Sequence, residues 1–284
     1  MRKFLNAIRW RWPALALLGI AVLGGCVGLD TQQRKWIFQA SALHDSDGAR
    51  IDGFDDVWID MPAAAGTPKA KLHALWTEGP APHSPLLLYL HGARRNVDGS
   101  AFRIRQMRAL GFAVLAIDYR GFGRSTDELP SEASVAEDER AGWAWLAAQH
   151  PGRDRYVFGH SLGGAIAVQL AADVSDAKGL IVEGTFPSIP ALFETMAWGW
   201  LPIAPLITQR FDVADRIAAV KAPVLVVHGE ADSLIPPALG RALYERAAAP
   251  KRFVLVEGGT HYSTNGRGQR QYREALRELY GLGA

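Results

Sequence analysis

The sequence is poor in cysteine and in net charge, and each shortage excludes a class of structure or partner. Cys26 is the only cysteine among the 284 residues, so the chain cannot form an internal disulfide. The formal net charge is +2 at pH 7, and apart from an N-terminal cluster the basic residues are scattered among acidic ones. A nucleic-acid-binding protein carries a concentrated basic face, so nucleic acid is not expected as a partner.

The sequence also lacks the clusters of side chains that bind metal ions. A zinc site needs several cysteine, histidine or carboxylate ligands close together. His44, His73, His83 and His150 form no such cluster. We therefore expect no metal site and no cofactor.

The N-terminus has the features of an export signal. Basic residues are concentrated before residue 12, and an apolar run follows from Pro13 to Leu23. The run ends at Gly24-Gly25, directly before Cys26. A positive region, a short apolar run and small residues at its end are typical of a secretory signal peptide.

The position of Cys26 resembles the bacterial lipoprotein signal, in which the cysteine becomes the lipid-modified first residue of the mature chain. The resemblance implies cleavage between Gly25 and Cys26. An uncleaved membrane anchor is the alternative, although the run is short for the ~20 apolar residues of a membrane span, and Cys26 could also be an incidental buried thiol. These interpretations predict a protein of the bacterial cell envelope that is tethered to a membrane.

Three segments follow from this pattern. Residues 1–25 form the predicted signal peptide, and residues 26–50 form a polar linker with one apolar group, Trp36-Ile37-Phe38. Residues 51–284 form the predicted globular domain. The composition is 49% hydrophobic and 21% charged, which is ordinary for a protein with a large core.

Apolar strands alternate with helices throughout the predicted domain. This alternation predicts an α/β fold with a doubly wound, mostly parallel sheet. Residues 57–61 and 71–76 predict an antiparallel edge hairpin, and Ser134 with Glu137 predicts a capping box at the start of a helix. Reactive groups of such sheets gather beyond the carboxyl ends of the strands. Six candidates lie directly after predicted strands: His91, Asp118, Ser161, Glu183, Asp232 and His261.

The segment Gly159-His160-Ser161-Leu162-Gly163 lies between a predicted strand and a predicted helix. A Gly-x-Ser-x-Gly turn in this context indicates a nucleophilic serine. Side chains at positions 159 and 163 would collide with the neighbouring strand and helix, and the turn strains the serine backbone. The alternative is a glycine-rich turn that only packs.

A serine nucleophile needs a base and an acid that orients the base. His261 follows the last predicted strand, beside Gly258-Gly259, and could otherwise be a surface-loop histidine. Asp232 is the preferred acid because it lies on the loop one strand before the histidine. Glu230 and Glu183 are the alternatives.

Together with the segment Asp118–Ser125, this order of serine, acid and histidine resembles the α/β-hydrolase superfamily over residues 54–282. The likeness is to its compact lipase, esterase and serine-aminopeptidase-like members. It implies an oxyanion hole formed by the N–H groups of Leu162 and Ala93, although Ala93-Arg94-Arg95 replaces the glycine run of many esterases. It also implies a cap-like insertion at residues 186–214, and a core-packing helix with loops is the alternative for this segment.

We therefore expect a serine hydrolase that cleaves carboxylic ester, amide or thioester bonds through an acyl-enzyme on Ser161, Asp232 and His261. Its partners would be a small acyl ester or a peptide, and a membrane. A serine aminopeptidase-like peptidase, an acyltransferase and a non-catalytic envelope-binding protein are the alternatives. His91, His160 and His228 are expected to be structural. Arg94 and Arg95 could bind an anionic substrate or be solvated.

Overall fold

The computed structural model describes residues 25, 27–40, 51–62, 69–248 and 250–283. Cys26 and most of the predicted signal peptide lie outside the described residues. Within these ranges, no helix is both long and apolar enough to cross a bilayer.

The described chain forms one sheet of eight strands. In chain order the strands are β1 (Asp55–Met61), β2 (Ala70–Thr77), β3 (Leu86–Leu90), β4 (Ala113–Ile117), β5 (Arg155–His160), β6 (Ala177–Glu183), β7 (Val224–Gly229) and β8 (Lys251–Val256). Their order across the sheet is β1-β2-β4-β3-β5-β6-β7-β8.

The predicted pairing of strands is confirmed. The first hairpin, β1 with β2, is antiparallel, and β2 also runs antiparallel to β4. All pairs from β4 to β8 are parallel. Every residue of β3, β4 and β7 is buried, because helices cover both faces of a parallel sheet.

Helices flank the sheet on its two faces. They are α1 (27–38), α2 (Ala101–Ala109), α3 (Glu132–Gln149), α4 (Leu162–Asp173), α5 (Ile189–Glu194), α6 (Val213–Arg216), α7 (Pro237–Arg246), α8 (Thr264–Arg267) and α9 (Gln269–Tyr280). One apolar cluster joins one face of the sheet to α3 and α4. A second cluster joins the other face to α2 and α9. The doubly wound α/β fold is therefore as predicted.

The predicted capping box of α3 is wrong by three residues. Ser131 is the N-cap: its hydroxyl accepts a bond from the Ser134 N–H at 3.0 Å, and the Ser134 hydroxyl accepts one from the Ser131 N–H at 2.8 Å. Glu137 instead accepts a bond from Nη2 of the buried Arg120 at 2.6 Å. The helix begins at Glu132, before the predicted start, so Glu137 lies within the helix and serves as a partner of the buried guanidinium.

The predicted linker contains α1, which packs on the body of the protein. Phe38 at its end is fully buried, and its ring lies 5.9 Å from that of Phe211. The apolar group Trp36-Ile37-Phe38 thus contributes to the fold through Phe38. Residues 27–38 of the predicted linker are helical.

Candidate active site

Ser161 lies at the sharp turn between β5 and α4. Its backbone angles are φ 58° and ψ −125°, in a region that residues with a side chain rarely adopt. Two backbone hydrogen bonds hold the turn. The Ser161 N–H donates to the Glu183 carbonyl at 2.9 Å, and the Gly164 N–H donates to the Ser161 carbonyl at 2.9 Å. The strain is therefore sustained by the sheet and the helix on either side.

The glycines of the turn are required by their neighbours. A Cβ atom on Gly159 would lie 2.1 Å from the carbonyl oxygen of Gly163, at the start of α4. A Cβ atom on Gly163 would lie 2.2 Å from the carbonyl oxygen of Leu90, at the end of β3. The predicted collisions with helix and strand are confirmed, and they involve backbone atoms that cannot rotate away.

His261 is hydrogen-bonded to Asp232. Nδ1 of the imidazole lies 2.8 Å from Oδ2 of the carboxylate. The other oxygen, Oδ1, accepts bonds from the N–H groups of Leu234 at 3.0 Å and Ile235 at 2.9 Å. Both side chains are buried. The carboxylate therefore fixes the orientation of the ring. Nδ1 is the nitrogen bonded to Asp232, and Nε2 is the ring nitrogen that is not bonded to Asp232.

The same contacts control the charge of Asp232. Burial alone would raise the pKa of its carboxyl group. Contacts with His228 and His261, and the bond from the Ile235 N–H, outweigh burial and hold this pKa well below its usual value. Asp232 is therefore an anion at neutral pH, as an acid that supports an imidazolium must be.

The two alternative acids have other partners. Glu230 is exposed and accepts a bond from the Gly258 N–H at 3.1 Å. Glu183 is buried, where it accepts a bond from Nε of Arg103 at 3.1 Å and another from the Tyr272 hydroxyl. Of the three carboxylates considered, the structure brings Asp232 to His261.

His160 supports the histidine loop from beneath. Its Nε2 lies 2.9 Å from the carbonyl oxygen of His261, and the two rings are 4.7 Å apart. Burial lowers the pKa of His160 well below its usual value, so the ring is neutral and Nε2–H donates to the carbonyl. The sequence predicted a structural histidine here, but this contact joins residues 101 positions apart and leaves no local signal.

His91 and His228 are also structural, as predicted. His91 Nδ1 lies 2.7 Å from the Gly92 carbonyl oxygen, and burial lowers the pKa of its ring. His228 Nε2 lies 2.8 Å from the Ile235 carbonyl oxygen. Both rings thus fix loops that border the site.

The loop after β3 lies against Ser161. A Cβ atom on Gly92 would be 3.0 Å from the Cβ atom of Ser161, so the loop approaches the serine closely. Ala93 and Leu162 line the same cavity as Ser161 and His261. Leu162 is the first residue of α4, where backbone N–H groups have no intrahelical acceptor. The arrangement brings the predicted oxyanion-hole residues to one cavity with the serine.

This cavity has a volume of about 630 Å³, which suits a small organic ligand. Its lining is mostly apolar, and the segment 186–214 between β6 and β7 supplies much of it. The charged lining residues are Arg94, Arg95 and Arg103, and no carboxylate is among the described lining residues. Sequence analysis missed the part of the lining that α1 provides, which includes Trp36.

Metal ligands are not grouped in the described ranges. No set of three or more histidine, cysteine, aspartate or glutamate side chains there could hold a metal ion. The site is described by its serine, histidine and aspartate alone.

Comparison with known proteins shows the family to which the chain belongs. A family model described as "Serine aminopeptidase, S33" matches residues 81–213 and 203–267. The chain belongs to this family. It is also 32% identical over 270 residues to the uncharacterized protein Rv2307c of Mycobacterium tuberculosis, covering 88% of this chain and 87% of that one. The protein is therefore a hydrolase of the α/β-hydrolase fold.

Further relatives and solved structures agree with this fold. Lysophosphatidylserine lipase ABHD12 of Danio rerio is 29% identical over 214 residues, covering 69% of this chain and 56% of that one. The Pyrococcus furiosus esterase Pf2001 has a TM-score of 0.64 at 19% identity, over 80% of this chain and 93% of that one. Est1E of Butyrivibrio proteoclasticus, with ferulic acid bound, has a TM-score of 0.65 at 20% identity, over 79% and 99%. At these identities the structures show a common fold.

We predict that Gly163→Ala destabilises the protein because the new Cβ atom meets the backbone of β3. Overpacking of this kind costs about 3 kcal/mol in the free energy of unfolding, measurable by urea denaturation. Gly28→Ala in α1 is the matched control, since a Cβ atom there meets nothing within 4 Å. Equal stability of the two variants would contradict the steric account of the turn.

Proposed function

We propose that this hydrolase is a serine esterase that acts through an acyl-enzyme. The observation that carries the proposal is the bond between His261 Nδ1 and Asp232 Oδ2 at 2.8 Å, beside a cavity that His261 shares with the strained Ser161. A nucleophile, a base and an acid in these positions meet the requirements of nucleophilic catalysis.

In the proposed reaction, Ser161 Oγ attacks the acyl carbon and its proton passes to His261 Nε2. The Asp232 carboxylate stabilises the imidazolium that forms. The N–H groups of Leu162 and Ala93 bind the oxyanion. His261 then donates its proton to the leaving alkoxide, which departs and leaves the acyl group on Ser161. Water attacks this ester, with His261 as base, to release the acid and restore the serine.

The charges around the cavity favour an ester over a peptide substrate. An aminopeptidase must bind the α-ammonium group of its substrate, and a carboxylate is the natural partner for that cation. The described lining residues include Arg94, Arg95 and Arg103 but no carboxylate. Arg103 is paired with Glu183, whereas the positive charge of Arg95 at the cavity would repel an ammonium group and attract an anionic one.

The named activities of relatives also support an ester. The relative ABHD12 is named a lysophosphatidylserine lipase, and two structural neighbours are named or titled as esterases. An acyl ester with an anionic group is the substrate class that combines these names with the cavity. The family description, serine aminopeptidase, keeps a peptidase as the second candidate, and an acyltransferase would use the same three side chains.

We further propose that the enzyme is held on a membrane of the bacterial envelope by a lipid on Cys26. The order of basic residues, apolar run, glycines and cysteine supports this placement. Trp198 and Trp200, in the segment 186–214, are 65% and 73% exposed. Tryptophan is enriched where proteins meet the membrane interface, which is consistent with a cap that faces a bilayer.

A fluorophosphonate probe is expected to label the wild type and not Ser161→Ala, because the probe reacts with an activated serine. The wild type should also hydrolyse p-nitrophenyl octanoate and be inactive on leucine p-nitroanilide. Failure of folded wild-type protein to take up the probe would refute a serine hydrolase. Preference for the anilide would assign the peptidase instead.

Asp232→Asn should lower kcat for the ester by about 10⁴-fold, because the amide cannot hold the imidazole in its reactive tautomer. Glu230→Gln is the matched control, two residues away on the same loop, and should retain wild-type kcat. Steady-state kinetics at one pH distinguish them. The reverse pattern would reassign the acid to Glu230.

Cys26→Ser is expected to abolish incorporation of labelled palmitate and to change how the precursor is processed, because serine has no thiol to acylate. Ser161→Ala is the control and should fractionate with membranes like the wild type. Fractionation and labelling in a bacterial host provide the measurement. Unchanged labelling of Cys26→Ser would contradict the lipid attachment.

A further inference from the structure

The helix α1 lies outside residues 81–267, which the family model matches, yet it borders the cavity. We propose that α1 is a wall of the acyl-binding site and that Trp36 sets the preference for acyl-chain length. This inference rests on the proposed esterase function and adds a specificity-determining residue to it.

One side of α1 is fixed to the segment 186–214. Gln33 donates from Nε2 to the Leu206 carbonyl at 2.7 Å, and its Oε1 accepts a bond from the Thr208 N–H at 2.8 Å. Asp30 Oδ1 accepts bonds from the Thr208 hydroxyl and from Nε2 of Gln209, both at 2.8 Å. The Gln33 amide thus donates one bond to the backbone of the segment 186–214 and accepts one from it. The residue is only 8% exposed.

The end of α1 is fixed to the loop after β3, which lies against Ser161. The Phe38 carbonyl accepts a bond from the Arg94 N–H at 3.0 Å, and Arg94 follows the proposed oxyanion donor Ala93. Arg94 has a φ of 73°, so this bond holds a residue in an uncommon conformation. Since Phe38 is buried against Phe211, α1 connects the cap segment, the core and the loop beside Ser161.

The side of α1 that faces the cavity is mostly apolar, with Gln33 as its polar residue. Leu29, Trp36 and Ile37 line the cavity together with Ser161. Trp36 is 63% exposed and Leu29 is 39% exposed, so neither is a core residue. An anchored helix that presents an indole to a cavity beside the serine offers apolar surface for a substrate chain to cover.

The test compares Trp36→Ala with Trp198→Ala. Trp198 is 65% exposed, close to the 63% of Trp36, but it is not a lining residue. The ratio of kcat/KM for p-nitrophenyl octanoate to that for p-nitrophenyl acetate is measured below micellar concentrations. Each methylene in contact is worth ~0.8 kcal/mol, roughly fourfold, so loss of about two contacts should lower the ratio about 15-fold in Trp36→Ala and leave Trp198→Ala unchanged.

Laurate binding, measured by isothermal titration calorimetry, tests the wall without catalysis. The dissociation constant should rise about 15-fold in Trp36→Ala, for the loss of the same number of methylene contacts, and stay at the wild-type value in Trp198→Ala. A fluorophosphonate probe run in parallel reports on Ser161 alone. Absence of labelling in the wild type would refute the esterase proposal, and laurate binding would still test whether α1 is a wall of the binding site.

Three results would overturn the proposal. An unchanged octanoate-to-acetate ratio in Trp36→Ala with full probe labelling would show that Trp36 does not contact the acyl chain. Unchanged laurate affinity in Trp36→Ala would show that Trp36 is not part of the surface that binds the acyl chain. A Trp36→Ala defect seen only with substrate in phospholipid vesicles, and equal to that of Trp198→Ala, would assign both tryptophans to membrane contact instead.

Discussion

The turn at Ser161 is the constraint on which the site depends. The chain must reverse from β5 into α4 within a few residues, and the turn is closed in by the carbonyl of Leu90 on one side and that of Gly163 on the other. Only glycine at positions 159 and 163 leaves room for it. The backbone strain at Ser161 is therefore built into the packing of the sheet, and the turn holds the side chain at the cavity.

The loop that carries His261 is held by two partners: the ionised Asp232 and the neutral His160. Asp232 fixes the imidazole of His261 through its ring, whereas His160 fixes the backbone through the His261 carbonyl. Burial keeps His160 uncharged, so the ring adjacent to His261 adds no positive charge where an imidazolium would form. His160, the last residue of β5, thus positions the histidine loop, whereas Asp232, after β7, would stabilise the charge on the imidazole.

Local sequence was sufficient for the sheet and for the serine, histidine and aspartate, because each lies directly after a strand and the flanking glycines mark the turns. It was insufficient where partners are distant along the chain. The partner of Glu137 is Arg120, 17 positions away, and the residues around Ser134 do not reveal it. The role of α1 depends on Gln33 meeting Leu206, 173 positions away, and a polar segment with one aromatic group resembles any linker until that partner is known.

If the proposed lipid is attached to Cys26, the attachment of α1 limits how far the enzyme can act from the membrane. Residues 27–38 are helical, and this helix is bonded to the segment 186–214 and to the loop beside Ser161. A lipid on Cys26 would thus be joined to the cavity wall with no free chain between them. An enzyme held in this way would reach substrates in the leaflet that anchors it. The location of a substrate would then restrict its access to the cavity before its chemical structure does.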